Sequence, residues 1–215
     1  MKGIYFGDIH SFNDLNLILA PFTPTPAMPQ TNLLTVPGRD GYLDLTEANG
    51  EVKYNSREFQ FAFTISDDDA LTFDERLTVV SNALNGKRCN ITLDRDPDFY
   101  WVGRCAVDSF DQDKRIGKII VKATVEPYKL RQSASVTSFA LTSEERTVTL
   151  ENDRMASVPV ITCTEDGAVV GFGGKVFTLN AGASRILDIR FVEGSNVLTL
   201  SGTGYITFTW QEGAL

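Results

Sequence analysis

His10 is the one histidine of this chain. Any Ser-His-Asp relay would have to run through it, and no two-histidine metal site can form within one copy. The three cysteines, Cys89, Cys105 and Cys163, include no C-x-x-C pair, and an odd number cannot pair fully inside a chain. Each lies in an apolar, strand-like run, which suits small reduced core thiols. A nucleophilic cysteine needs a base, and His10 is the only neutral one on offer. Asp94, Asp96 and Asp98 alternate as carboxylates do in calcium loops, but the positions that would need Gly and Glu hold Phe99 and Cys105. A solvated turn explains them better. Asp67-Asp68-Asp69 precedes a helix signal, where negative charge is favourable without any metal or glycosidase role. Gly171-Phe172-Gly173-Gly174-Lys175 lacks phosphate-loop spacing and is followed by no helix pattern, so it reads as a hairpin turn. These residues assign no catalytic group, no cofactor-binding residue and no metal ligand, and the chain reads as a non-enzyme.

The elements that would position such residues are mostly strands. Phe59, Phe61, Phe63 and Ile65 alternate with Gln60, Ala62, Thr64 and Ser66, a period of two that puts one aromatic face into a core. Asn49-Gly50 predicts a hairpin between the runs 42–45 and 52–54. The runs 100–110 and 116–125 flank the polar group 111–115 and predict a second hairpin, which Pro127 stops. One helix is expected over about 72–86. Thr72-Phe73-Asp74-Glu75 is a capping box, Phe73, Leu77, Val80 and Leu84 form one stripe, and Asn85-Gly86 is a stop. The prolines at 21, 24, 26 and 29 make an extended, rigid connector; recognition by an aromatic groove is the other use of such a run.

Composition changes at Arg131. Residues 131–145 are rich in Ser, Thr and Gln and read as a linker between a part at 1–130 and a part at 146–215. The second part is a series of short strands and turns, the pattern of a β-sandwich. In it Ile206, Phe208 and Trp210 share one face, expected to be core. Fold class is therefore mainly β with one helix. Of 215 residues, 20 are Lys or Arg and 28 Asp or Glu, a formal charge of −8 that argues against gripping nucleic acid. The 42 % of hydrophobic residues is enough for a core. No signal-like leader or bilayer-spanning run is visible, so a soluble product of the cytosol with no membrane insertion is expected.

The ordered motifs resemble one family. Pro37-Gly38-Arg39-Asp40-Gly41-Tyr42-Leu43-Asp44-Leu45-Thr46-Glu47, then Tyr54-Asn55-Ser56-Arg57 leading into Phe59-x-Phe61-x-Phe63, resemble the N-terminal domain of siphophage distal tail proteins. So do Leu84-Asn85-Gly86, Ile91-x-Leu93-Asp94-x-Asp96-Pro97-x-Phe99-Tyr100-x-x-Gly103-Arg104 and Val125-Glu126-Pro127-Tyr128-Lys129. The closing stretch Val192-Glu193-Gly194-Ser195-Asn196-x-Leu198, Gly202-x-Gly204 and Trp210-Gln211-Glu212-Gly213-x-Leu215 is similar to the end of short members. The proline-rich stretch matches nothing in that pattern.

The resemblance implies a ring-forming β-sandwich domain over 1–130, with one helix and a hairpin arm at about 37–58. It implies a galectin-like β-sandwich over 146–215. It further implies a structural protein of the virion tail tip, made in the bacterial host cytoplasm. As partners it implies further copies of the chain in a hexameric ring, the tail tube protein, a tail-associated tip protein and, in some phages, a receptor-binding protein. DNA would pass through the ring without being bound specifically. A closing ring of one chain needs a head-to-tail interface, and Arg39, Asp40 and Asp44, displayed around a Gly-flanked turn, are the candidate interface residues. A tight turn whose aspartate caps its own backbone is the competing reading. Two other functions compete: a carbohydrate-binding module at the host cell surface, which needs an exposed aromatic platform from Trp101, Tyr205 or Trp210, and a cell-wall hydrolase, which needs a carboxylate in a cleft.

Overall fold

The computed structural model describes residues 3–48, 50–66, 72–113 and 116–215. The expected Asn49-Gly50 turn at Asn49, the Asp67-Asp68-Asp69 run, and Lys114 and Arg115 of the second hairpin's tip lie outside the described residues. The chain divides into two compact units, one ending at Lys129 and the other spanning Leu130–Ala214.

The first unit is built on an antiparallel sheet. Its strands are β1 (Ile4–Phe6), β2 (Ile9–His10), β3 (Ile18–Leu19), β6 (Arg57–Ser66), β7 (Arg88–Leu93), β8 (Asp96–Asp113) and β9 (Ile116–Val125), in the order β2-β1-β7-β8-β9-β6-β3. The numbering leaves room for β4 (Leu33–Thr35) and β5 (Tyr42–Asp44), which pair only with each other. The period-two reading of β6 holds: Phe59, Phe61, Phe63 and Ile65 are all buried, in register with Ala123, Val121, Ile119 and Gly117 of β9. The hairpin over 100–125 forms as β8–β9, with Asp108 bulging between Val107 and Ser109 and reaching Lys122 at 2.9 Å. The bulge lets this long strand bend while keeping its inward face. Pro97 lies inside β8 rather than in a turn, so the turn is confined to Asp94 and Arg95.

Helix α1 (Phe73–Leu84) begins as its sequence dictates. The Thr72 hydroxyl accepts from the Glu75 amide at 3.4 Å, and the Glu75 carboxylate accepts from the Thr72 amide at 2.9 Å. The Thr72 amide, and then its hydroxyl donating at 2.8 Å, hold the Glu75 carboxyl below the usual range. Val80 and Leu84 are buried and Phe73 and Leu77 pack against the same core. The ring of Phe73 lies over Gly117 of β9, where a Cβ would overlap it. Thr72→Ala removes the cap and should destabilise the unit by about 1 kcal/mol in thermal or urea unfolding; an unchanged midpoint would show that packing alone holds this helix.

The second unit is a sandwich of two four-stranded antiparallel sheets. One sheet runs β11 (Ser135–Ala140), β18 (Tyr205–Trp210), β13 (Val160–Cys163), β16 (Gly182–Ser184). The other runs β12 (Arg146–Asn152), β17 (Gly194–Ser201), β14 (Ala168–Phe172), β15 (Lys175–Leu179). Short strands β10 (Lys129–Arg131) and β19 (Gly213–Ala214) pair with each other. Ile206, Phe208 and Trp210 are buried together with Phe191, Ile161 and Leu198. Gly173-Gly174 makes the two-residue turn of β14–β15, both residues at positive φ, which is the hairpin read from sequence.

Two expectations need correction. The segment 131–145 is not an unstructured linker: β11 pairs residue by residue with β18, Ser135 opposite Trp210 through Ala140 opposite Tyr205. Its Ser and Thr residues fall on both faces of an edge strand, Ser135 and Thr137 on one and Ser138 on the other, which looks polar in composition. Residues 42–45 do not pair with 52–54 across Asn49-Gly50. Tyr42, Leu43 and Asp44 pair with Thr35, Leu34 and Leu33, around the turn that carries Pro37 and Gly38.

Candidate interaction arm

Among the described residues, the β4–β5 ribbon pairs with none of the three other sheets. Its tip is turned by Gly38 and Gly41, both at positive φ, and the Arg39 amide donates to the Val36 carbonyl at 3.2 Å. Its surface is apolar. Leu33, Leu34 and Tyr42 are 48 %, 50 % and 63 % exposed, and Met28, on the leg leading into the ribbon, is 63 % exposed. Apolar side chains lie on both faces, Leu34 beside Leu43 on one and Leu33 on the other. A free two-stranded ribbon is marginal in water, and this one leaves its largest residues wet, as a segment that docks elsewhere would.

Arg39 and Asp40 sit exposed in the tip turn. Asp44 lies at the other end of the ribbon, opposite Leu33, so it does not join them. Its carboxylate accepts from the Thr46 amide at 2.9 Å, and Thr46 holds it below the usual carboxylate range. Asp44 thus caps its own backbone. Leu33, Leu34 and Tyr42 are the ribbon's exposed large apolar side chains, and sequence reasoning did not single them out as candidate interface residues. The signal was there: Leu33-Leu34 sits among Thr, Asn and Pro with no helical or strand period to bury it.

The residues that could have done chemistry are occupied structurally. His10 is buried; its Nδ1 accepts from the Asn13 amide at 3.0 Å and its Nε2 lies 3.2 Å from Asp94 Oδ2. Both ring nitrogens therefore have partners within the fold. Asp94 also accepts from the Gly3 amide, and Asp96 pairs with Lys129 at 2.7 Å. Asp94 and Asp96 are therefore spent on separate contacts, and among the described residues no group of three His, Cys, Asp or Glu could hold a metal. Cys105 and Cys163 are buried thiols, while Cys89 is half-buried with its sulfur 3.9 Å from that of Cys105. Contact with Cys89, then burial, pushes the Cys105 thiol up; burial does the same to Cys163.

Residues 7–126, more than half of the chain, match the model of the phage tail protein RIFT-related domain. The chain belongs to that family. The matched span takes in most of the first unit, including the ribbon, α1 and the β8–β9 hairpin. This phage tail protein also shares its fold with a solved structure, that of SPP1 Dit, described as a paradigm of the hub adsorption apparatus in phages infecting Gram-positive bacteria. The TM-score is 0.69 at 14 % identity, and the likeness covers 100 % of both chains. No curated protein matches the sequence. Family and fold thus agree with the resemblance carried by the motifs at 37–47, 54–63 and 84–104. Among the described residues, no helix of the tail protein is long and apolar enough to cross a membrane.

Proposed function

We propose that this phage tail protein is a distal tail hub: a structural, non-enzymatic ring at the tip of a non-contractile tail. Six copies join head to tail, the β4–β5 arm of each meeting the next. The ring links the tail tube protein to the tail-associated tip protein, and the second unit, a galectin-like sandwich, faces outward where a receptor-binding protein can dock. The observation that carries this reading is the wet apolar ribbon on a unit of the tail family. Leu33, Leu34 and Tyr42 need a cover that the described residues of their own chain do not supply. The acidity fits as well. Six copies of a chain with formal charge −8 would make an acidic ring, and a channel wall sharing that sign would repel DNA rather than hold it.

The carbohydrate-binding reading loses its platform, because Trp101 and Trp210 are 3 % and 5 % exposed and Tyr205 alone is open to solvent. Negative-stain imaging of the purified protein tests the hub. A six-fold ring with a central hole is expected. Monomers alone, at concentrations where related contacts would form, would reject it, and a channel lined mainly by Lys and Arg would reject the charge argument.

A further inference from the structure

The proline-rich stretch 21–29 lies along the first unit's sheet and leads into the arm. Its chemistry poses a problem of attachment. Pro21, Pro24, Pro26 and Pro29 have no amide N–H, so the stretch cannot be laddered like a strand. The Thr25 hydroxyl donates to the Glu58 carbonyl at 2.8 Å, and the stretch's own carbonyls need donors from elsewhere.

Arginine side chains supply them. Arg57, at the start of β6, donates from Nε to the Thr25 carbonyl at 2.5 Å and from Nη1 to the Pro127 carbonyl at 3.2 Å. Its guanidinium lies 5.3 Å from the ring of Phe59 and 5.8 Å from that of Trp101. Arg95 repeats the pattern at the near end, donating to the Phe22 carbonyl at 2.8 Å and stacking over the Phe22 ring. Beyond Thr25 the two legs of the arm are tied to each other. The Asn55 amide donates to Met28 at 2.9 Å and the Gln30 amide to Lys53 at 2.8 Å.

Arg57 is 6 % exposed, and among the described residues it makes no ion pair. A buried cation is ordinarily matched by a carboxylate. Here aromatic faces and neutral carbonyls stand in, and burial lowers its proton affinity. Such a site is poor value as a stabiliser, since an apolar side chain among Phe59 and Trp101 would cost no charge desolvation. What only the guanidinium fork provides is simultaneous donation to two carbonyls from separate segments, 25 and 127, at fixed angles.

We infer that Arg57 is a positioning residue that seats the proline-rich strap on the sheet and so fixes where the arm leaves the unit. The arm's meeting with a neighbour rests on the hub reading; the seating of the strap does not. Arg57→Met removes the fork and leaves behind no unpaired carboxylate, so the unit stays folded. Its two freed carbonyls belong to an exposed and a half-buried residue and can take water.

Hydrogen exchange on the full-length chain tests this. In Arg57→Met the amides of Gln30 and Asn55 should exchange about ten-fold faster or more, the factor that loss of charge-assisted hydrogen bonds gives, while the amides of β6 and β9 keep their rates. Arg57→Lys should recover only part of the protection, because a single ammonium cannot bridge both carbonyls in the same geometry. It also carries the test if the methionine variant does not fold. Rates at Gln30 and Asn55 within two-fold of the parent would overturn the inference. So would acceleration spread equally through β6 and β9, which would mark Arg57 as a general stabiliser. Ring formation is read separately by mass photometry. Absence of rings in the parent protein defeats the hub reading and leaves the exchange result standing; a seated strap lost together with the ring in Arg57→Met joins the two.

Discussion

Replacing Leu33 and Leu34 together by glutamate should abolish ring assembly while leaving the chain folded. Both side chains are about half exposed, and neither belongs to a core. Removing them costs the unit little. Covering such a leucine contributes roughly 1.5–3 kcal/mol when its burial is complete, and these two are half covered already, so about 2 kcal/mol per interface rests on the pair. Glutamate does more than remove that term. It places two carboxylates where a partner would desolvate them, and it adds negative charge to a chain already at −8. An association constant at least about 100-fold weaker per interface follows, and a ring that must close multiplies the loss. Mass photometry at fixed protein concentration reads the assembly, and far-UV circular dichroism reads the fold. A ring that persists in this variant would remove the ribbon from the interface. The double change Arg39→Ala with Asp40→Ala should do far less, because exposed charges at a turn contribute about 0–1 kcal/mol.

The contrast between these two variants shows where sequence patterns carry information and where they do not. The β6 face, the α1 capping box and the β8–β9 hairpin were legible because each rests on local rules: alternation, reciprocal end-capping, and two apolar runs around a polar turn. The partner of residues 42–44 was not local knowledge. Asn49-Gly50 is a strong turn signal and pointed to residues 52–54, yet Val36-Pro37-Gly38 on the other side won the pairing with residues 33–35. Two turn signals competed for one strand, and no local rule ranks them. The second miss has a different cause. β11 is an edge strand with Ser and Thr at three of its six positions, and composition alone cannot tell such a strand from a linker. What reveals it is pairing with β18, sixty-nine residues away at Ser138 and Thr207, whose hydroxyls meet at 2.8 Å. Arg57 was quoted only as part of a motif. Nothing about an arginine before an aromatic strand says that it will be buried against Thr25 and Pro127, because that depends on where a proline-rich segment comes to lie.

The largest effect on stability is expected in the first core, at Phe61. This residue is fully buried at the middle of β6, opposite Val121. Its ring lies 5.6 Å from Phe6, 4.6 Å from Phe22, 6.1 Å from Phe59 and 6.4 Å from Phe63. Truncation to alanine leaves a cavity whose walls are those four rings. Phe59 and Phe63 are fixed by the same strand, and Phe6 is fixed by β1 of the same sheet, so collapse can come mainly from Phe22 on the strap. Limited collapse puts the cost at the upper part of the usual range, about 3–5 kcal/mol, a large share of a domain's net stability. With an m-value of about 2 kcal/mol per molar urea, the midpoint should fall by roughly 2 M. The chain has two tryptophans, and each reports one core: Trp101 stacks edge-on to Phe59 at 5.3 Å, and Trp210 on Phe191 at 5.3 Å. In a Trp210→Phe background the fluorescence change therefore follows the first unit alone. Phe110→Ala is the control, since that ring is 54 % exposed and its loss should move the midpoint by less than about 0.5 M. If Phe61→Ala shifted the midpoint no further than that control, the aromatic face of β6 would not be the centre of the unit's stability. If the shift reached its full size, Phe22 should be seen to move inward, and the strap would then be felt from the core side as well as from Arg57.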